Sequence, residues 1–231
     1  MRVPTVEARP AATTILLRDT RHGGIEVLMV RRSPNGFFGG LTVFPGGAVD
    51  PEDHSQLAEA VVPGAGADRI HRVAALRELA EETGIALTDG GMLPAPSGRG
   101  IELFRSMHRA GLRLDASALT VVSRWVTPES APKRFDTMFY VARAVDAPEI
   151  QLDTSELVEH MWVAPSLALD RYDSGSLKMF HPTIAHLRWL RECSSVDDSM
   201  ASATGADRRS LLEPRRTEDG ALILVNLPVE S

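Results

Sequence analysis

The sequence predicts an α/β (α+β) fold in which helices pack on a mixed sheet. Three observations lead there. Apolar and β-branched runs of strand length lie on both sides of one strong helical segment, RVAALRELAEETGI at residues 72–85. Two more helical segments, PSLALDRYDSG (165–175) and HPTIAHLRWLREC (181–193), follow the central strand-like runs. With 231 residues, 43% of them hydrophobic, the chain can bury the core of one ordinary domain but not of two. Strands and helices in this arrangement stack as layers.

The elements follow in order. ATTILL (12–17) and IEVLMVRR (25–32) are strand-like runs joined by the turn-forming RHGG, which reads as a hairpin. LTVFPGGAVD (41–50) is a short extended run ended by Pro45, Gly46 and Gly47. Residues 51–69 are polar at first and then rich in Ala, Gly and Pro, with a short helix at HSQLAEAVV (54–62). In the strong helix, Val73, Leu76, Leu79 and Ala80 make one apolar stripe and Gly84 is the stop signal. GGMLPAPSGRG (90–100) reads as a loop from its turn residues. IELFRSMHRAG (101–111) reads as a helix, LTVVSRWVTP (119–128) as a strand, and RFDTMFYVARAV (134–145) as the most strand-like segment of the chain, followed by VEHMWVA (158–164). Pro182 suits the first turn of the second C-terminal helix. Residues 195–209, rich in Ser, Asp, Ala and Arg, read as flexible, and GALILVNLP (220–228) as one more strand. The expected division is a domain over 10–195 and a flexible tail over 196–231.

Composition narrows the function. A net charge of −6 with no basic run argues against nucleic acid as a partner. Cys193 is the only cysteine, so neither an intramolecular disulfide nor a Cys-rich metal site is expected, and its ordinary role is that of a small buried apolar residue. The first twenty residues, with Glu7 and two prolines, do not read as a signal peptide, and no run approaches membrane-spanning length. The expectation is a soluble protein of the reducing cytoplasm with no membrane partner. A homodimer is left open.

The strong helix poses an electrostatic problem. Glu78, Glu81 and Glu82 share one face in its last turns, where the helix dipole is already negative. Glu78 and Glu82 repel each other at the i,i+4 spacing, and only Glu81 has a basic residue, Arg77, at such an offset. Two readings stand: a solvated acidic face, or a face whose missing positive charge is supplied by a hard divalent cation such as Mg²⁺ or Mn²⁺.

Taken with the glycines upstream, this helix resembles a known signature. Gly47, five residues, Asp53 and, further on, Arg77-Glu78-Leu79-x-Glu81-Glu82-x-Gly84-Ile85 resemble the Nudix box, the loop-helix-loop motif of the Nudix hydrolases. The family has Glu where this chain has Asp53, and seven residues where this chain has 23 between Asp53 and Arg77. A box stretched in this way, preceded by RRSPNGFFGGLTVFPGG and followed by RWVTPESAPKRFDTMFYVA, is similar to the branch containing peroxisomal coenzyme A and acyl-CoA diphosphatases of animals and their bacterial relatives. Gly40, three residues, then Phe44-Pro45-Gly46-Gly47 also resembles the end of a motif of coenzyme A-cleaving members, with Gly36 at its upstream basic position.

The resemblance implies a Nudix-like α/β/α sandwich and a Mg²⁺ or Mn²⁺ cofactor. It implies Glu78 and Glu82 as metal ligands, Glu81 as ligand or base, the Gly46 carbonyl as a backbone ligand and Arg77 as the residue orienting the acids, itself held by Asp53. It implies attack of water on one phosphorus of a nucleoside diphosphate linked to another moiety. With coenzyme A the products are adenosine 3′,5′-bisphosphate and phosphopantetheine. ADP-ribose, a nicotinamide dinucleotide, a nucleoside triphosphate or a noncatalytic metabolite-sensing role are the competing readings, because substrate choice lies outside the box. Other residues carry two readings each. Glu156 is an auxiliary acid or a solvated loop residue; Arg134 is a phosphate anchor or a surface charge. Trp125 and Phe135, with Phe44, line a substrate site, the first two by stacking on adenine, or belong to the core. His160, His181 and His186 have no partners at ligand spacing and read as structural. The inserted residues 54–69 are expected outside the sheet, near the mouth of the site, since long surface loops are thermodynamically inexpensive to extend.

Overall fold

The alternating runs near the N-terminus form an antiparallel hairpin, β1 (Arg9–Asp19) and β2 (Ile25–Arg32), in register at Leu17–Val27 and Asp19–Ile25. The structure is a computed structural model that describes residues 6–35, 39–66, 68–129, 131–203, 211–216 and 222–227. Gly36 lies outside the described residues. After the hairpin come the short strands β3 (Thr42–Val43) and β4 (Gly46–Ala48), a 3-10 turn at Pro51–His54, and helices α1 (Gln56–Val61) and α2 (Arg69–Thr83). Strands β5 (Ile85–Thr88) and β6 (Gly91–Pro94) pair with each other, and helix α3 (Ile101–Arg109) follows. Then come β7 (Thr120–Val126), β8 (Phe135–Arg143), β9 (Leu157–Val163), α4 (Pro165–Asp173), α5 (His181–Arg191), α6 (Val196–Ala203), β10 (Leu211–Arg216) and β11 (Leu222–Leu227).

Nine of the strands form one mixed sheet in the order β11-β10-β7-β8-β1-β2-β3, with β4 also pairing β1 and β9 also pairing β2. β1 is its spine, parallel to β8 along Arg9–Leu17 and antiparallel to β2 and β4. Strands buried on both faces read as continuous apolar runs, as at Ile15–Leu17 of β1 and Phe139–Ala142 of β8. Alternation then sorts their side chains between two cores. Ala12, Leu16, Tyr140 and Ala142 face α1, α2, α3 and β5, whereas Ile15, Leu17, Phe139 and Val141 face α4, α5 and α6. The expected sandwich of sheet between helices is the architecture observed.

Three expectations are corrected. The 90–100 stretch is not all loop: Gly91–Pro94 pairs with Ile85–Thr88, because Asp89-Gly90 is itself a two-residue hairpin turn. The inserted segment lies outside the sheet but not at the mouth of the site. Ala58, Val61, Val62 and Ala65 are buried in the first core, and the Val61 carbonyl accepts from Leu114 N at 2.8 Å. Apolar residues at the i,i+3 spacing give α1 a face to bury, which a solvated loop would lack. Finally, within the stretch read as flexible, Val196–Ala203 forms α6, with Val196, Ser199 and Ala203 buried. Residues 204–210 lie outside the described residues, and the strand expected in GALILVNLP coincides with β11. Among the described residues no helix is long and apolar enough to cross a membrane.

Candidate active site

Helix α2 carries its acids to one end of the sheet. Thr14 on β1 donates to the Ala75 carbonyl, and Gly84, at φ +70°, ends the helix in the left-handed conformation that favours glycine. The Phe44-Pro45-Gly46-Gly47 loop crosses directly over the acids. At Gly47 a Cβ would lie 2.5 Å from Glu78 Oε1, and at Gly46 it would lie 2.4 Å from the Ala12 carbonyl, so both positions require glycine. The missing side chain lets the backbone lie against β1 at Gly46 and approach the Glu78 carboxylate at Gly47.

Arg77 is the hub. Its guanidinium is 1% exposed and donates in five directions: Nε and Nη2 to the two oxygens of Asp53 at 2.7 and 3.1 Å, Nη1 to Glu78 Oε1 at 2.8 Å and Glu81 Oε2 at 3.2 Å, and Nη2 to the Ala48 carbonyl at 3.0 Å. Asp53 is fully buried and also accepts from Asp50 N at 2.9 Å, which fixes the 3-10 turn. The Asp53–Arg77 bond therefore survives the insertion: the extra residues fold into α1 and return the chain to the same place. The charges and hydrogen bonds of Asp53, Glu78 and Glu81 raise the Arg77 pKa against the opposing effect of burial.

The acids differ in their surroundings. Burial pushes the Glu78 carboxyl up to about 7, although Arg77 pulls it down. Burial and then the repulsion of Glu78 push Glu82 up to about 8, against the pull of Arg32 and of Gly46 N, which donates to its Oε2 at 2.9 Å. Glu81 is also raised by burial; its Oε1 accepts from Gly100 N at 2.6 Å. Three carboxylates packed here need a positive charge beyond Arg77 to be ionised together at neutral pH. Their all-oxygen donor set suits a hard divalent cation. Glu78 keeps one oxygen off Arg77, Glu82 keeps Oε1 off Gly46 N, and the Gly46 carbonyl is adjacent. Among the described residues no three acid, imidazole or thiol groups converge on one metal centre, so the two glutamates and the carbonyl would be completed by water and substrate oxygens.

A cavity of about 1050 Å³ opens above this floor. Arg77, Glu78, Glu81, Gly46, Phe44, Trp125, Arg134, Phe135 and Glu156 all line it, whereas Glu82 is fully buried behind the floor. Trp125 and Phe44 contribute to the wall while belonging to the second core, where both pack around the His186 ring. Trp125 Nε1 donates to Ser123 Oγ at 3.1 Å, and Ser123 meets His186 Nε2 at 2.8 Å. Because the Pro182 carbonyl, 2.6 Å from Nδ1, can only accept, Nδ1 holds a proton and donates it there, while Nε2 meets the Ser123 hydroxyl. That closed chain fits the structural role expected of His186. Arg134 sits on the rim, with Nε donating to the Thr127 carbonyl at 3.0 Å and Nη1 to that of Val6 at 2.7 Å.

Two basic residues of the site are not singled out by sequence. Arg32, at the end of β2, donates through Nη2 to the Gly46 carbonyl at 2.8 Å and to Glu82 Oε1 at 3.4 Å. Arg99, from the β6–α3 loop, pairs with Glu156 at 2.8 Å and Asp153 at 3.2 Å, and lies 3.8 Å from Glu81. The only sequence cue is a basic residue ending an apolar strand in one case, and a lone Arg in a Gly/Pro/Ser loop in the other.

Comparison with known proteins places this geometry. Residues 8–182 match the NUDIX domain. A crystal structure of a NUDIX hydrolase from Alicyclobacillus acidocaldarius superposes with a TM-score of 0.75 at 33% identity, covering 86% of this chain and 97% of that one. Acyl-coenzyme A diphosphatase NUDT19 of Homo sapiens is 26% identical over 251 residues, covering 83% of this chain and 67% of that protein. A Caenorhabditis elegans relative named for the same family, nudix hydrolase 7, is 29% identical over 198 residues; the alignment takes in 82% of this chain and 62% of that protein's length.

Proposed function

The chain belongs to the NUDIX domain family, and from that premise we propose that it is a Mg²⁺- or Mn²⁺-dependent pyrophosphohydrolase. Its substrate in this reading is coenzyme A or an acyl-coenzyme A, cleaved to adenosine 3′,5′-bisphosphate and (acyl-)phosphopantetheine. The observation that carries the hydrolase reading is the buried Arg77 hub, which holds Asp53, Glu78 and Glu81 at the floor of a cavity large enough for a dinucleotide-sized substrate. Glu78, Glu82 and the Gly46 carbonyl would hold the cation, which supplies Lewis-acid polarisation of a phosphoryl oxygen and a more acidic water. Arg77 fixes the rotamers of Glu78 and Glu81, so no reorganisation is needed as charge develops. Glu81, its two oxygens held by Gly100 N and Arg77, faces the cavity and is positioned to take a proton from the attacking water; Glu156, linked to Glu81 through Arg99, is a further carboxylate lining the same cavity.

The substrate reading is supported by the likeness to a relative named as an acyl-coenzyme A diphosphatase and by the walls of the cavity. Phe44, Trp125, Phe135, Phe139 and Phe180 give it an apolar side suited to adenine and to a pantetheine or acyl arm, while Arg9, Arg99 and Arg134 lie among its charged lining. A cytoplasmic location belongs to the same reading. Incubation with Mg²⁺ and a panel of coenzyme A, acetyl-CoA, ADP-ribose, NADH and nucleoside triphosphates, with products resolved by chromatography, tests it. The expected products are adenosine 3′,5′-bisphosphate and phosphopantetheine species, with kcat/KM highest for the coenzyme A compounds. A preference for ADP-ribose would move the substrate while keeping the chemistry. No turnover of any diphosphate would favour a sensor.

A further inference from the structure

Arg32 touches the oxygens that the cation is expected to take. Its Nη2 is 2.8 Å from the Gly46 carbonyl and 3.4 Å from Glu82 Oε1, and its Nη1 is 3.9 Å from Glu156. Glu82 has no exposure to water, and its other oxygen is held by Gly46 N. Arg32 is the positive charge that faces Glu82, Arg77 being engaged with Asp53, Glu78 and Glu81. A divalent ion on the same carboxylate and carbonyl oxygens would stand against the guanidinium, and two cations cannot share those contacts in a low-dielectric site without strong repulsion. Arg32 is not sealed in: its side chain is 22% exposed and lines the cavity on which Glu156 also opens. It has somewhere to turn, and a diphosphate in that cavity offers the planar oxygen pairs a guanidinium fits best.

We propose that Arg32 is an exchangeable cation, holding Glu82 and the Gly46 carbonyl until a divalent ion takes those oxygens and then turning to a phosphate of the substrate. The exchange couples metal arrival to substrate affinity, making Arg32 a binding residue only once the metal is in place. It rests on the reading of Glu82 and Gly46 as metal ligands.

The test measures Mn²⁺ binding by titration calorimetry on the full chain after chelator treatment. The wild type is compared with Arg32→Ala, Arg32→Lys and Arg99→Ala. Losing charge-assisted bonds that the metal must otherwise break should tighten Mn²⁺ binding to Arg32→Ala by about tenfold. Arg99→Ala removes one unit of charge from the same cavity without touching Glu82 or Gly46, and should change it by less than about twofold, the size of a screened charge effect. ADP binding closes the cycle: with Mn²⁺ present Arg32→Ala should bind ADP about tenfold more weakly than wild type, and without Mn²⁺ the two should agree. If Arg32→Ala melts early, Arg32→Lys serves in its place, since a compact ammonium keeps the charge but forms fewer of the bonds, and its Mn²⁺ affinity should lie between the other two. Equal Mn²⁺ affinity in wild type and variant, equal tightening in Arg99→Ala, or ADP affinity indifferent to Arg32 would each overturn the exchange. A wild type that binds no Mn²⁺ would instead bring down the ligand assignment itself, and the exchange with it.

Discussion

The floor and the outer wall of the cavity are built on opposite principles. On the floor, five hydrogen bonds converge on one guanidinium with 1% exposure, and Asp53 and Glu81 are each held by a second partner, the backbone N–H groups of Asp50 and Gly100. On the wall, aromatic and proline residues from β7, β8, the loop between them and the start of α5 are held mainly by packing, with a hydrogen bond from Trp125 Nε1 to Ser123, and Phe180 is 46% exposed. The floor is over-determined, so removing one group leaves another charge stranded. The wall is under-determined, so a side chain can change and its neighbours relax. Chemistry that must not vary belongs on the first kind of surface, and substrate choice on the second.

The largest expected effect is on the floor. Glu82→Gln should lower kcat by about a thousandfold, a loss of the size seen when a principal electrostatic group is removed. It should leave the melting temperature of the metal-free protein unchanged or slightly raised, because a buried like-charged carboxylate has been neutralised. Turnover at the wild-type rate, or early melting, would remove Glu82 from the metal site and with it the contrast between floor and wall.

Next is stability. Asp53→Ala removes the acceptors of two of the five hydrogen bonds of a guanidinium that is 1% exposed, and breaking a buried pair from one side costs about 3–5 kcal/mol. Urea unfolding should register that loss, whereas Phe180→Ala on the wall should stay within about 0.5 kcal/mol of wild type. Equal losses at the two positions would mean the floor is no more constrained than the wall.

A smaller effect sharpens the electrostatics. Glu78 and Glu82 titrate from an ordinary 4.5 to about 7 and about 8 in the folded chain. Between about 4.5 and 8 the folded protein therefore holds protons the unfolded chain has released. Their contribution is fully present below 4.5 and is lost as pH rises through 7 and 8. Melting temperatures in chelator should fall across that window more steeply for wild type than for Glu82→Gln, and Mg²⁺ should flatten the fall by replacing the protons. A wild-type slope no steeper than the variant's would place Glu82 in a better solvated site than the one described.

The smallest effect is on the rim. Arg134→Ala should reduce kcat/KM for coenzyme A a few-fold more than for ADP-ribose, which lacks the 3′-phosphate. Two of its donors already serve the Thr127 and Val6 carbonyls, which limits what it can give a phosphate. Equal losses for both substrates would reduce Arg134 to holding the rim together.

Legibility in the sequence followed distance along the chain. The acid face of α2 was readable because its residues are neighbours on one helix, and the glycines before it because they adjoin the motif. The layers were readable because β1 and β8 are apolar on both faces. Arg32 and Arg99 were not, since they reach the acids from 50 and 18 residues away, and nothing in a strand end or a glycine loop records where its side chain will point. Burial of α1 is hidden because a gap in a motif looks like a surface loop, although Ala58 and Val61 have the spacing of a buried face. The β5–β6 hairpin was hidden by its own turn residues, which mark a loop whether or not strands flank it.

The parallel pairing of β1 with β8 has a consequence during synthesis. A ribosome delivers β1, β2 and the whole of α2 before the first residue of β8, at 135, exists. Until then one edge of the central strand has no partner, and an apolar edge of this kind is a template for pairing with other chains. Helix α2 can dock on β1 in that interval, but nothing yet shields the strand's far side from a neighbouring nascent chain. Substitutions in β8 should therefore be felt first as lost soluble yield on expression, before any change in the melting point of the molecules that do fold.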